Sequence, residues 1–66
     1  MNLYYVDVKL FDTFEEITSL IRRAVIAVDE ANARDIVAKQ IEEEIKSAEA
    51  PCAGYEIIKI KFIREL

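Results

Sequence analysis

The residues with the most obvious chemical potential are the single thiol, Cys52, and the run Glu42-Glu43-Glu44. A thiol becomes nucleophilic when a base or a cation lowers its pKa, and this chain contains no His to play that part. Cys52, beside Pro51, therefore reads as a small structural residue in a connection. Three consecutive glutamates on a helix fan out over ~200°. Catalytic or metal-binding acids must instead converge on one point, usually from different elements. Zinc sites built from Cys and His need four such ligands, and one is present. A lone Cys cannot close an intrachain disulfide, and a lone Gly cannot build a phosphate-cradling loop. The expectation is a protein without catalytic residues, metal or cofactor.

What remains for function is surface. The chain has 66 residues with 13 acidic and 9 basic side chains, a net charge of −4. The charges are unevenly placed. Asp12, Glu15 and Glu16 cluster with no base among them. The stretch from Asp29 to Ala50 holds seven acids against Arg34, Lys39 and Lys46. Strongly one-signed surfaces steer partners of opposite sign. Asp12, Glu15, Glu16, Asp35, Glu42, Glu43 and Glu49 are thus the candidates for binding a basic groove, such as one made for nucleic acid. The plainer reading is a solvated helix face, with Lys on the sheet edges to discourage aggregation.

Those side chains must be positioned by a few short elements. Residues 3–11 alternate, with Tyr4, Val6, Val8 and Leu10 on one side, and β-branched and aromatic residues at period two mark a strand. Residues 57–63 repeat the signal, with Ile58, Ile60 and Phe62 expected on one face. Residues 30–49 read as a helix in which Ala33, Ile36, Val37, Ile41, Ile45 and Ala48 form an apolar stripe. Asp29 suits its N-cap, and Pro51 and Gly54 end it. Residues 12–28 fit two descriptions. Thr13 with Glu16 makes a capping box ahead of a helical stripe, which would give β-α-α-β. Alternatively Asp12–Glu16 is a loop and Ile17–Val28 a strand. The strand is favoured because two strands alone make a sheet too narrow to be stable.

The expected fold is thus α+β: one domain over residues 1–66, elements in the order β-β-α-β, with a three-stranded antiparallel sheet of spatial order 2-1-3 and one long amphipathic helix on one face. On this reading the face away from the helix presents Tyr5, Lys9, Phe11, Arg23, Val25, Tyr55, Ile57, Lys59, Lys61 and Ile63, too apolar for an open surface in water. A homodimer or a protein partner would cover it. Alternatively Tyr5 and Tyr55 would stack single-stranded bases while Lys9, Arg23, Lys59 and Lys61 take phosphates. The net negative charge and the lack of a Gly-aromatic RNA-binding signature weigh against that.

The passage Ala24–Val37, about a fifth of the chain, resembles a strand-to-helix passage of small phage and mobile-element proteins, some anti-CRISPR proteins among them. Its pattern is an Ala near the strand end, a capping acid or Ser, a second Ala four residues on, then an aliphatic. Ala27, Asp29, Ala33 and Ile36 match. The resemblance implies an accessory protein of mobile DNA and carries no functional residues of its own; together with the acidic polarity it points to an inhibitor of a host nucleic-acid-handling complex. No apolar run approaches the ~18–20 residues of a membrane span, and no basic segment followed by an apolar block opens the chain. The cytoplasm is the expected location.

Overall fold

The computed structural model describes residues 1–11, 18–47 and 54–66. Strand β1 (Asn2–Phe11) is followed by β2 (Thr18–Ala27), helix α1 (Glu30–Lys46) and β3 (Gly54–Glu65). Both outer strands run antiparallel to β1, in the spatial order β2-β1-β3. This is the expected β-β-α-β architecture, with the second element a strand and not a helix. Its expected start at Ile17 and the Thr13/Glu16 capping box lie outside the described residues.

The helix begins where the sequence places it. Asp29 is extended (φ −158°, ψ −179°), and its carboxylate accepts from the Asn32 backbone N–H at 2.8 Å. Asn32 answers by accepting from the Val28 N–H at 3.1 Å, so one orphaned donor of the first turn is capped and the residue leading into the helix is tied to that turn. Glu30 in the first turn and Lys46 in the last complement the helix dipole. The helix stops at Ser47, earlier than the expected residue 49. Ser47 donates its backbone N–H to Glu43 O and its hydroxyl to Glu44 O, closing the last carbonyls.

The core lies between α1 and one face of the sheet. Tyr4, Val6 and Val8 of β1, Val25 and Ala27 of β2, and Ala33, Val37 and Ile41 of α1 are buried. The helix contributes residues four apart, one face of a 3.6-residue period. Leu10, Ile21, Ile36, Ile45, Tyr55, Ile57 and Ile60 pack around them. Tyr4 stacks edge-on against Phe62 at 5.8 Å between ring centroids, at the end of the sheet.

Two expectations about faces are overturned. Arg23, Val25, Tyr55 and Ile57, expected on the open face, lie on the helix side, and Ile58, expected under the helix, lies on the open side. In β3 the cause is a pair of irregularities in its pairing with β1. Asp7 lies opposite Lys59 but Val8 lies opposite Ile57, which leaves Ile58 as an extra residue. Leu3 lies opposite Arg64 and Tyr4 opposite Phe62, which leaves Ile63 as a second. Each inserted residue reverses the alternation, so Ile57 and Ile60 both face the helix. In β2 the cause is parity. Ile21, Val25 and Ala27 compete with Leu20, Ala24 and Ile26 for the core, and one Arg falls on each face.

Candidate functional site

The face of the sheet away from α1 brings apolar, aromatic and charged groups from all three strands together. Register places Leu3, Tyr5, Asp7, Lys9 and Phe11 of β1 beside Leu20, Arg22, Ala24 and Ile26 of β2. On the other flank stand Glu56, Lys59, Lys61 and Arg64 of β3. Five bases thus share this face with two acids. At its centre Asp7 and Arg22, opposite each other across the β1–β2 ladder, form a two-pronged ion pair at 2.8 and 3.3 Å. The Arg22 guanidinium also lies 5.3 Å above the Tyr5 ring, a cation–π contact. Its hydrogen bonds hold the Asp7 carboxyl below the usual carboxylate range, aided by the charges of Arg22 and Lys59. Lys9 sits 5.7 Å over the Phe11 ring.

Beside this pair is an open hollow of about 330 Å³ lined by Asp7, Leu20, Ile21, Arg22 and Ile58. Its apolar rim is unusually wet. Leu20 is 69 % exposed, Ile58 48 %, and Ile26 further along β2 is 53 % exposed. Ile58 reaches the hollow because it is the extra residue of the β3 irregularity.

Of the residues expected on this face, Tyr5, Lys9, Lys59 and Lys61 are there. Arg23, Tyr55 and Ile57 are not. Arg23 crosses to the helix, where it donates to Glu44 at 2.6 Å and to Gln40 at 3.2 Å. Hydrogen bonding lowers the Glu44 pKa and raises that of Arg23. Tyr55 donates its hydroxyl to Glu42 at 2.5 Å, a bond that raises the phenol pKa. These two contacts pin the sheet to the C-terminal half of the helix.

The expected acidic surface is divided. Asp12, Glu15, Glu16 and Glu49 lie outside the described residues. Among the described residues acids and bases balance, so those four carboxylates account for the whole net charge of −4. Asp35, Glu42 and Glu43 stand exposed on α1. They do not form a one-signed patch. Asp35, Lys39, Glu42 and Lys46 follow one another along a single helical stripe, and Glu42 already accepts from Tyr55. Among the described residues no group of three or more acidic or Cys side chains converges as a metal site would, and no helix is long and apolar enough to cross a membrane.

The features missed by sequence reasoning are the Asp7–Arg22 pair and the wet apolar trio Leu20, Ile26 and Ile58. The pair was findable once the hairpin register was known, since it faces Asp7 with Arg22. The doublet Ile57-Ile58 is the corresponding signal in β3, because adjacent large apolar residues interrupt a period of two.

No protein-family model matches the chain, and neither a curated protein nor a solved structure matches it.

Proposed function

We propose that this chain is a non-catalytic protein-binding module that docks through the open face of its sheet. The partner it suits has an apolar centre and an acidic rim. The observation that carries this is the exposure of Leu20, Ile26 and Ile58 around an ion pair that is already satisfied, with Lys9 on the central strand and a basic border of Lys59, Lys61 and Arg64 along the β3 flank. Apolar side chains held in water at fixed positions recover free energy when a partner covers them, and a basic border raises the rate of encounter with an acidic rim. Asp7 and Arg22, the charges at the centre of this face, are engaged with each other, which suits recognition better than acid–base chemistry. The lone Cys suits a reducing compartment such as the cytoplasm.

The test is recovery of partners from lysate by the tagged chain, with and without nuclease, followed by mass spectrometry. Ile58→Glu should abolish a nuclease-resistant partner that wild type captures, and Asp35→Lys with Glu43→Lys on the helix should retain it. Equal capture by the Ile58 variant would sink the proposal. Loss of all capture on nuclease treatment would favour single-stranded nucleic acid. That reading has less support, because Arg22 and Lys9 already occupy the Tyr5 and Phe11 rings and Tyr55 is under the helix.

A second reading retains the acidic side as the contact, with the chain an inhibitor of a host nucleic-acid-handling complex. Its support is the concentration of the net charge at Asp12, Glu15, Glu16 and Glu49, together with the resemblance in 24–37. Reversal of Glu42, Glu43 and Glu49 to Lys should then slow association, with a steep dependence on salt. Binding untouched by the triple reversal would remove this reading.

A further inference from the structure

We propose that β2 is the docking edge for a second copy of this chain, joining two three-stranded sheets into one continuous sheet about a two-fold axis at Arg23. The backbone edge of the sheet is a different surface from its open face, but Leu20 and Ile26 belong to both, so the open-face reading is tested separately at Ile58.

The two edges of the sheet are built differently. β3 carries two pairing irregularities and five charged residues, Glu56, Lys59, Lys61, Arg64 and Glu65. Bulges and charges are what keep an edge from pairing with another chain. β2 has no such irregularity. It pairs with β1 over ten residues in unbroken register, contains no Pro, and among the described residues no strand covers its outer side. Its two charges are both spoken for, Arg22 by Asp7 and Arg23 by Glu44. Among the described residues its outer row of backbone donors and acceptors is therefore open over roughly 33 Å of strand.

The side chains select a second copy as the occupant, because β2 is complementary to itself. In antiparallel pairing, directly opposed residues share a face. An axis falling between two residues would put the two helices on opposite sides of the joined sheet. An axis at Arg22 would set Leu20 against Ala24 and Ile21 against Arg23, leaving the exposed Leu20 and Ile26 unmatched with each other. With the axis at Arg23, Arg22 of one copy meets Ala24 of the other. Leu20 meets Ile26, Ile21 meets Val25 and Ser19 meets Ala27. The exposed Leu20 and Ile26 thus cover each other twice per dimer, on the open face. The two Arg23 side chains meet on the helix side, each bringing its counter-charge in the Glu44 to which it is bound.

The test is sedimentation of the whole chain from low to several hundred micromolar concentration. Wild type should move from a mass of 7.6 kDa toward twice that value. Leu20→Lys and Ile26→Glu should each weaken the dimer by roughly tenfold or more, since each spoils two symmetric cross-strand pairs. The double variant L20K/I26E should recover most of the loss, because every new Lys then faces a new Glu across the junction. Positions 20 and 26 lie too far apart on one strand for that rescue to arise within a chain. Both sites are exposed, and circular dichroism is the check that each variant folds. Amide exchange on wild type supplies a second reading, with protection rising with concentration in β2 and unchanged in β3. A wild type that stays monomeric overturns the proposal. So do single variants that associate as tightly as wild type, a double variant no tighter than the singles, or protection that rises in β3 instead.

Discussion

Truncating Ile41 and Ile58 to Ala in separate variants tests both the seat of the helix and the irregularity of β3. Each change removes three carbons, worth about 2.4 kcal/mol at ~0.8 per buried carbon. Ile41 is 2 % exposed, so the whole transfer term applies. A partly collapsed cavity adds about 1 kcal/mol more, for a cost of about 3–4 kcal/mol. Ile58 is 48 % exposed and opens onto solvent, so about half the transfer term is at stake and no cavity forms. Its cost is about 1 kcal/mol or less. A chain of this length has roughly 3–10 kcal/mol of stability to lose. Ile41→Ala should therefore leave it near the folding threshold, with Tm down by roughly 12–30 °C, against a few degrees for Ile58→Ala. The assay is urea titration followed by circular dichroism, at low protein concentration so that association does not contribute. Equal costs at the two sites would refute the reasoning. They would place Ile58 under the helix, as uninterrupted alternation requires. A cost below about 1 kcal/mol for Ile41→Ala would mean that α1 does not rest on this sheet.

Other perturbations address the contacts that join helix to sheet. Asp29→Ala should cost about 1 kcal/mol by removing the N-cap acceptor, and Asp29→Ser should keep most of it, as read by urea titration. The Tyr55 phenol has a folded pKa raised by its bond to Glu42, so its contribution is complete below the ordinary phenol range and is lost as pH climbs through the raised value. Tyr55→Phe should flatten that alkaline decline in a pH series of melts. Asp7 and Glu44 behave in the opposite sense. Their folded pKa values are depressed, so their contribution is present above the unfolded carboxylate range and fades as pH falls through the lower folded values. Carboxyl NMR titrations should show Arg22→Met returning only Asp7, and Arg23→Met returning only Glu44, toward the ordinary range. A shift of both by either variant would contradict the placement of the two arginines on opposite faces.

The architecture was legible because three kinds of signal agreed. Alternation in residues 3–11 identified the central strand, the stripe Ala33, Val37 and Ile41 identified the buried helix face, and Asp29 fixed where the helix starts. The second strand followed from a packing argument, since two strands alone make too narrow a sheet. Facing was harder. In β2 the two sets of alternating residues are equally apolar, and each contains one arginine, so hydrophobicity could not choose between them. Only the hairpin register, with Tyr4 opposite Val25 and Asp7 opposite Arg22, decides it. In β3 the doublets Ile57-Ile58 and Phe62-Ile63 coincide with the two irregularities, and strict alternation read through both. The consequence for the candidate surface was direct. Arg23 and Tyr55 left the open face for partners on the helix, and Ile58 arrived there.

The placement of the first strand in the middle of the sheet shapes the order in which the fold can assemble. β1 and β2 are neighbours in the chain and can zip as a hairpin within microseconds. The other side of β1 is completed only by β3, whose pairing joins Asn2 to Glu65 across nearly the whole sequence. Such distant closure is slow, because the entropy of the intervening loop is lost before the contacts return it. Until β3 docks, the hairpin offers two bare edges, one of them the strand that becomes the centre of the sheet. A newly made chain therefore passes through an interval in which Tyr4, Val6 and Val8 are presented to any other extended segment within reach. Variants that slow the docking of β3, rather than those that weaken the finished fold, are the ones in which aggregation should first appear.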